Sequence, residues 1–363
     1  MVVTAGSPIC APWPAIEISV NRRLPAEFEP QSGTLLTWPH DSGHWGDQLE
    51  KVEEVFIEIT HLLGDHQKVI IVADNEACRD HVNNLLTAAR IQRENIDVYI
   101  TPCNDCWARD HGPVTVIEED EPVLLDFTFN GWNRKYPFQR DNAITGSLSG
   151  LGAFRQSKVH SMAYVLEGGA IETNGRGCLL TTASCLLDNN RNPDQDQTGY
   201  ETLFEQHFGC HETIWLQHGQ LAGDDTDGHI DTLARFADVS TLIYQSCDDS
   251  DHVDYPALDR MQQQLISMND QRDKPFQLVP VPMPVKHFAD DGSPLPASYV
   301  NFIISNRRVL VPAYEDRHDE EARTIIAGCF PGRDVISINA LPLIQQCGSL
   351  HCTAMHLPAG VLA

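Results

Sequence analysis

The sequence predicts an α/β fold, and two patterns carry the prediction. Segments with apolar residues at helical spacing alternate along the chain with short apolar or period-two runs of strand length. Glycine-rich phosphate loops of the GxGxxG or GxxxxGK(S/T) kind are missing, so the pattern is not that of a nucleotide-binding α/β protein.

The elements follow in order. Leu49–Leu63 sets Val52, Val55, Phe56, Ile59, Leu62 and Leu63 on one helical face. Gln67–Asp74 reads as a buried strand, and Asn75–Ala89 as a helix with Asn75 as its cap. Asn95–Pro102 is a strand, Pro122–Asn130 alternates with period two, and Gly177–Thr182 is a further strand. Tyr200–Phe208 and Pro256–Ser267 are helical, with the strand Thr241–Ser246 between them. Asn301–Tyr314 reads as two strands around a turn at Asn306, followed by a helix over Asp319–Gly328 and a strand over Asp334–Ala340.

Residues 1–21, rich in proline and small side chains, read as a loose leader. No later stretch has linker composition, so the 363 residues fit two domains or one large symmetric one. The formal net charge is −26, from 51 acidic against 25 basic residues. That field repels a phosphate backbone and attracts a cation, which argues against nucleic acid as a partner; it also serves solubility. The 11 cysteines are scattered and form no disulfide framework, so reduced thiols in the cytoplasm are expected. No secretory leader is read, because Pro8, Pro12 and Pro14 interrupt the only candidate apolar stretch, and no run is long enough for a membrane span.

Five segments combine polar side chains with turn-forming residues: CWARDHGP with Asp110, LEGGAIE with Glu167, GDDTDGHIDT with Asp227, His229 and Asp231, SYVNF with Asn301, and CGSLHCTAMH with Cys352. This set matches the needs of guanidinium hydrolysis. Guanidinium is a planar, permanently charged fork of donors, which paired carboxylates hold well. Its carbon needs a nucleophile that works near neutral pH, such as a thiolate. One histidine can protonate the leaving amine and then activate water. In an extended His229-Ile230-Asp231 the first and third side chains face one side, and Gly228 permits a tight turn or a close approach.

Each member also has a plainer reading. His229 and Asp231 fit a paired surface strand, Cys352 fits a small buried hydrophobe, and Asp224, Asp225 and Asp227 fit a solvated acidic loop. The pair Gly168-Gly169 fits an ordinary tight turn. His351, Cys352 and His356 are possible metal ligands, but no matching Cys and His pairs complete a zinc site. Cys103 and Cys106 form a C-x-x-C, a possible redox pair or half a metal site, yet they lead into WARD and open no obvious helix. The functional reading rests on the set.

On RLPAEFEPQSGTLLTWPHD, WARDHGP, LEGGAIETNGRGCLLTTASCLLDNNRNP, DDTDGHIDTLARF, PASYVNFIISNRRVLVPAY and GSLHCTAMHLP, in that order, the chain resembles the agmatine deiminase family. That family sits in the guanidino-group-modifying (pentein) superfamily, with arginine deiminases and bacterial peptidylarginine deiminase. The resemblance runs from about Arg23 to Pro358. It implies a five-bladed α/β propeller of pseudo-fivefold ββαβ modules, hence a single catalytic domain over residues 22–363, with the site in a central channel. It implies Cys352 as the nucleophile of an amidino-cysteine intermediate and His229 as general acid and then base. Glu167 would orient His229 and touch the guanidinium, Asp110 and Asp231 would grip it, Trp107 would wall the site, and Asp227 would bind substrate. It implies agmatine as the small cationic substrate, N-carbamoylputrescine as product in putrescine synthesis, no metal or organic cofactor, and a homo-oligomer. Other guanidines such as free or peptide-terminal arginine, transfer of the amidino group to an amine, and a non-catalytic binding module on the same fold are the alternatives. The chain departs from many relatives in having only Gly348 before the nucleophile, with Cys347 close by, and in having WARD and His111 where WMRD and a small hydroxyl residue are common.

Overall fold

A strand, its antiparallel neighbour, a helix, and a third strand parallel to the second make a unit that recurs five times among the described residues. The computed structural model describes residues 22–41, 43–155, 157–270 and 273–362; the expected leader, residues 1–21, lies outside them. The unit appears as Val114–Glu118, Glu121–Thr128, helix Ile144–Gly150 and Lys158–Val165. It returns as Ile171–Thr173, Cys178–Thr182, helix Gln197–Phe208 and Glu212–Leu216. Next come Ala234–Phe236, Thr241–Gln245, helix Tyr255–Ile266 and Gln277–Val281. The fourth is Ile303–Ile304, Arg308–Ala313, helix Asp319–Cys329 and Asp334–Asn339.

The fifth unit joins the two ends of the described chain. Its first strand, Ala354–Pro358, runs antiparallel to Gln31–Thr37, with Met355 opposite Leu35. Helix Leu49–Gly64 then leads to Lys68–Ala73, parallel to Gln31–Thr37, and helix Glu76–Ala88 leads to an extra parallel strand, Ile96–Ile100. A late strand pairing with an early one closes the circle of modules.

Local chemistry sets these elements. The second strands Thr241–Gln245 and Cys178–Thr182 are buried along their whole length, which explains their continuous apolar runs. Helices cover them; Trp38 meets Phe56 edge to face at 5.6 Å where helix Leu49–Gly64 packs on its sheet. Asn75 caps its helix as expected, its side chain accepting from Cys78 N at 2.9 Å. The helix expected from Tyr200 begins a turn earlier, at Gln197, because Asp196 caps Gly199 N at 2.9 Å. It ends at Gly209, which holds φ at 66°. Asn75→Ala should lower stability by about 1 kcal/mol in denaturant unfolding, with catalysis unchanged.

Candidate active site

Each of the five segments singled out in the sequence occupies the same place: just before the first strand of a module. The turn Ala108–His111 precedes Val114–Glu118, Gly168–Ala170 precedes Ile171–Thr173, and Ile230–Thr232 precedes Ala234–Phe236. Asn301 precedes Ile303–Ile304, and His351–Thr353 precedes Ala354–Pro358. The segments touch one another. Asp110 Oδ1 accepts from Gly169 N at 2.9 Å, Asn301 Nδ2 donates to Asp231 O at 3.3 Å, and His351 N donates to Asn301 Oδ1 at 3.0 Å.

Where they meet lies a cavity of about 200 Å³. Asp110, His229, Asp231 and Cys352 line it, with Trp107 and Trp132 as aromatic walls and Asp105, Asp224 and Asp225 as further acidic lining. Among the described residues no lysine or arginine lines it. The supposed solvated loop of Asp224 and Asp225 therefore belongs partly to the cavity.

The His229-Ile230-Asp231 stretch is not extended. Ile230–Thr232 is a single 3₁₀ turn, tied by Thr232 Oγ1 donating to His229 O at 3.0 Å and His229 N donating to Thr226 Oγ1 at 3.1 Å. Gly228, at φ 96°, makes the tight turn before it. Both side chains still reach the cavity.

Asp231 is fully buried, with Oδ2 at 2.7 Å from His351 Nδ1 and Oδ1 without a hydrogen-bond partner. Burial raises its pKa, but the hydrogen bond and charge of His351 outweigh that and hold it low. Asp110 takes contacts on both oxygens: Trp132 Nε1 at 2.9 Å on Oδ2, and Gly169 N at 2.9 Å with His229 Nδ1 at 3.6 Å on Oδ1. Its pKa is raised, by burial first, with His229 opposing. Burial lowers the His229 pKa, but Asp110 and then Cys185 overcome it, so the ring stays protonated well above its usual range. The Cys352 thiol is pushed well up by burial, then by Asp231 and Asp110. Its Sγ lies 3.5 Å from Asn301 Oδ1, which accepts from it.

Glu167 is fully buried and is not among the residues lining the cavity. Both its oxygens are 3.0 Å from Arg191 Nε. Glu167, Cys185 and His229 place potential ligand atoms within 4.8 Å of one another, as do His40, Asp74 and Cys103. In the first group the Arg191 cation already occupies the Glu167 carboxylate, which disfavours a metal dication there. Asp227 also stands outside the cavity lining, holding Arg191 Nη1 at 3.0 Å, Lys135 Nζ at 2.8 Å and Asn133 Nδ2 at 2.6 Å. Cys103 and Cys106 are buried free thiols whose pKa values burial drives up, the state of inert core cysteines. His356 turns away from Cys352 to Arg109, 3.1 Å from Nη1.

Sequence reasoning missed Trp132, Arg191 and Cys185. NNRNP and the Gly131-Trp132 pair after a strand were the available signals, but neither names a partner.

Five ββαβ modules around an acidic cavity lined by a cysteine and a histidine are the architecture of the pentein fold. The chain belongs to the Porphyromonas-type peptidyl-arginine deiminase family, which matches residues 23–358. It is 30% identical over 360 residues to a Selenomonas ruminantium protein provisionally named an agmatine deiminase, covering 93% of this chain and 95% of the relative. A solved structure from Porphyromonas gingivalis, provisionally described as an arginine deiminase, is 40% identical with a TM-score of 0.89, covering 94% of this chain and 100% of that one. A cysteine-to-serine variant of C. jejuni agmatine deiminase with substrate bound is 30% identical with a TM-score of 0.86, covering 94% and 97%.

A methyl group on Gly169 would sit 2.6 Å from His229 Nδ1, 2.7 Å from Asp110 Oδ1 and 3.1 Å from Asp231 Oδ2. Gly169→Ala should therefore fold but lose about 100-fold or more in kcat/KM, measured beside its melting temperature.

Proposed function

We propose that this chain is an agmatine deiminase, hydrolysing agmatine to N-carbamoylputrescine and ammonia. The observation that carries the reading is the cavity lining. Agmatine is a dication, with guanidinium at one end and ammonium at the other. Asp110 and Asp231 offer carboxylates beside Cys352, while Asp105, Asp224 and Asp225 supply further acidic lining, and among the described residues no lysine or arginine lines the cavity. Arginine would bring a carboxylate into the same field, and a site for it needs a matching cation.

In the reaction the Cys352 thiolate attacks the guanidinium carbon. His229 gives its proton to the departing amine, ammonia leaves, and an amidino-cysteine remains. His229, now neutral, takes a proton from water; the resulting hydroxide attacks the same carbon, the C–S bond breaks to return the thiolate, and the proton left on the new oxygen passes to solvent as the neutral ureido product forms. Asp110 and Asp231 hold the N–H groups throughout, and Trp107 and Trp132 close the sides. Glu167, locked by Arg191 behind His229, orients the imidazole. Asp227 acts on the site through Arg191. Ten free cysteines among the described residues support a reducing, cytoplasmic setting, and a homo-oligomer belongs to the same reading. Among the described residues no helix is long and apolar enough to cross a membrane.

Ammonia and ureido-product release should be measured from agmatine, arginine and arginyl peptides, with Cys352→Ala as blank. Agmatine should lead by about 100-fold or more in kcat/KM. Preference for arginine or a peptide would sink the substrate reading, and turnover by Cys352→Ala would sink the nucleophile. Activation of the thiol gives a second test. Carboxylates and burial keep Cys352 protonated in the empty site, and a bound guanidinium offsets the carboxylates' repulsion, lowering the thiol pKa. Agmatine binding at neutral pH should thus release up to about one proton more from the native protein than from Cys352→Ala. Calorimetry in buffers of differing ionisation enthalpy reads this directly; equal release from both proteins would exclude it.

A further inference from the structure

Behind the cavity, on the far side of His351, lies a carboxylate that none of the five polar turn segments contains. Glu27 is only 5% exposed, and its two oxygens collect four donors. Oε1 accepts from Ile304 N at 2.9 Å. Oε2 accepts from His351 Nε2 at 2.7 Å, Arg109 Nη2 at 3.0 Å and Arg235 Nη2 at 3.0 Å. Burial alone would raise the Glu27 pKa, but His351, Arg109 and Arg235 hold it well below the usual range.

His351 is the informative partner. Its other nitrogen, Nδ1, is 2.7 Å from Asp231 Oδ2. An ionised carboxylate only accepts hydrogen bonds, so the imidazole donates on both sides and links Glu27 to Asp231 in a carboxylate–histidine–carboxylate chain. With Oδ2 pinned, the partnerless Oδ1 is the atom left for a substrate N–H.

We propose that Glu27 is a positioning residue for the cation site: by fixing the His351 ring it fixes the Asp231 carboxylate that grips the guanidinium. The inference rests on the agmatine reading above. The physical logic is that of an outer partner orienting a histidine that in turn orients a ligand-binding group. A carboxylate rotates about its last torsion unless something holds one oxygen, and an imidazole held at one nitrogen can tilt. Glu27 removes the second freedom and thereby the first. Glu27 reaches further than this chain alone, since Arg109 adjoins Asp110 and His351 adjoins Cys352. Neutralising two buried arginines would not require the contact with His351, and that contact is the one leading to the substrate.

The test measures agmatine binding calorimetrically in the Cys352→Ala background, where no turnover interferes. Glu27→Gln and His351→Gln should each weaken agmatine by about 10-fold or more, with a cooperative thermal transition retained. Adding Asp231→Asn should remove most of that effect, because the chain then ends on a group that no longer carries the charge. A loss of equal size with and without Asp231→Asn would overturn the proposal, as would unchanged affinity in both single variants. His351→Gln leaves the Ile304, Arg109 and Arg235 contacts of Glu27 in place, so it carries the test if Glu27→Gln does not fold. Failure of both to fold would assign the network to stability alone. If Cys352→Ala binds no agmatine at all, the substrate reading falls, and this inference with it. Normal binding there that is untouched by Glu27→Gln and His351→Gln sinks this inference only.

Discussion

Glu27, Arg109, Glu172, Asp231, Arg235 and His351 form one buried network at the meeting point of the five modules, and the geometry of the site hangs on it. Arg235 contributes most of the reach: it pairs with Glu172 and with Glu27, donates to Phe302 O at 2.8 Å, and lies over the Phe302 ring at 4.9 Å. Through Arg109, Glu172, Arg235, Ile304 and His351, every module sends at least one group to it. Buried ions cost several kcal/mol each to desolvate, and an apolar core of the same volume is often as stable. What the network supplies is specification. Apolar strand faces tolerate small shifts between modules, whereas a carboxylate with four donors at hydrogen-bond distance does not. Asp110 and Cys352 directly follow the anchors Arg109 and His351, and His229 lies two residues before Asp231, so the positions of these cavity groups follow from the anchors.

The two sides of this network carry opposite balances. On the inner side the carboxylates of Glu27 and Glu172 face two arginines and a histidine. On the cavity side stand Asp105, Asp110, Asp224 and Asp225; among the described residues no arginine or lysine lines the cavity, and Lys135 reaches Asp225 O at 2.6 Å from outside the lining. Burial pushes Asp105 up to about 6 and raises Asp110 and Asp225 as well, and the lining holds five aspartates against two histidines, so acidic groups outnumber basic ones. Asp231 stands at the border and keeps its ionised form because His351 reaches it from behind. A cationic ligand relieves the deficit, and the same charge that binds it makes the thiol of Cys352 easier to ionise. On the agmatine reading, affinity and activation thus come from one electrostatic arrangement, with the chain's net charge of −26 adding attraction at longer range.

Most of the fold was legible because its signals are local. Val52 to Leu63 show a helical face, Asn75 is a cap, and Lys68–Ala73 is a continuous apolar run. The fivefold repetition was not legible in the residues themselves: the equivalent first strands range from Ile303–Ile304 to Val114–Glu118, and the modules share a backbone plan but little residue identity. The site segments could be picked out because turns with acidic residues and glycines stand apart from the strands they introduce. Glu27 could not, because its meaning lies in His351, 324 positions away. Arg191 and Trp132 are similar cases, ordinary until Glu167 and Asp110 are placed beside them. The extended reading of His229-Ile230-Asp231 failed for a local reason: two hydroxyls, Thr226 and Thr232, bond the His229 backbone and wind the segment into a turn.

The cavity's aromatic wall rests on strained backbone. After Gly131, the non-glycine residues Trp132, Asn133 and Arg134 hold φ at 50°, 70° and 64°, and across from them Asp227 holds 69°. Such conformations cost of order 1–3 kcal/mol each and persist only where surroundings enforce them. Here the two strained turns enforce each other. Asn133 Nδ2 donates to Asp227 Oδ2 at 2.6 Å, Lys135 Nζ donates to Asp227 Oδ1 at 2.8 Å, and Arg191 holds the same carboxylate while clamping Glu167. The result is that the Trp132 indole is packed on Phe129 at 4.9 Å with its N–H on Asp110. Asp227 therefore ties the wall to the Arg191–Glu167 pair without lining the cavity itself. A wall held in this way cannot relax around a mismatched ligand at low cost. Selection then falls to the fixed carboxylates, which favour a ligand with positive charge at both ends.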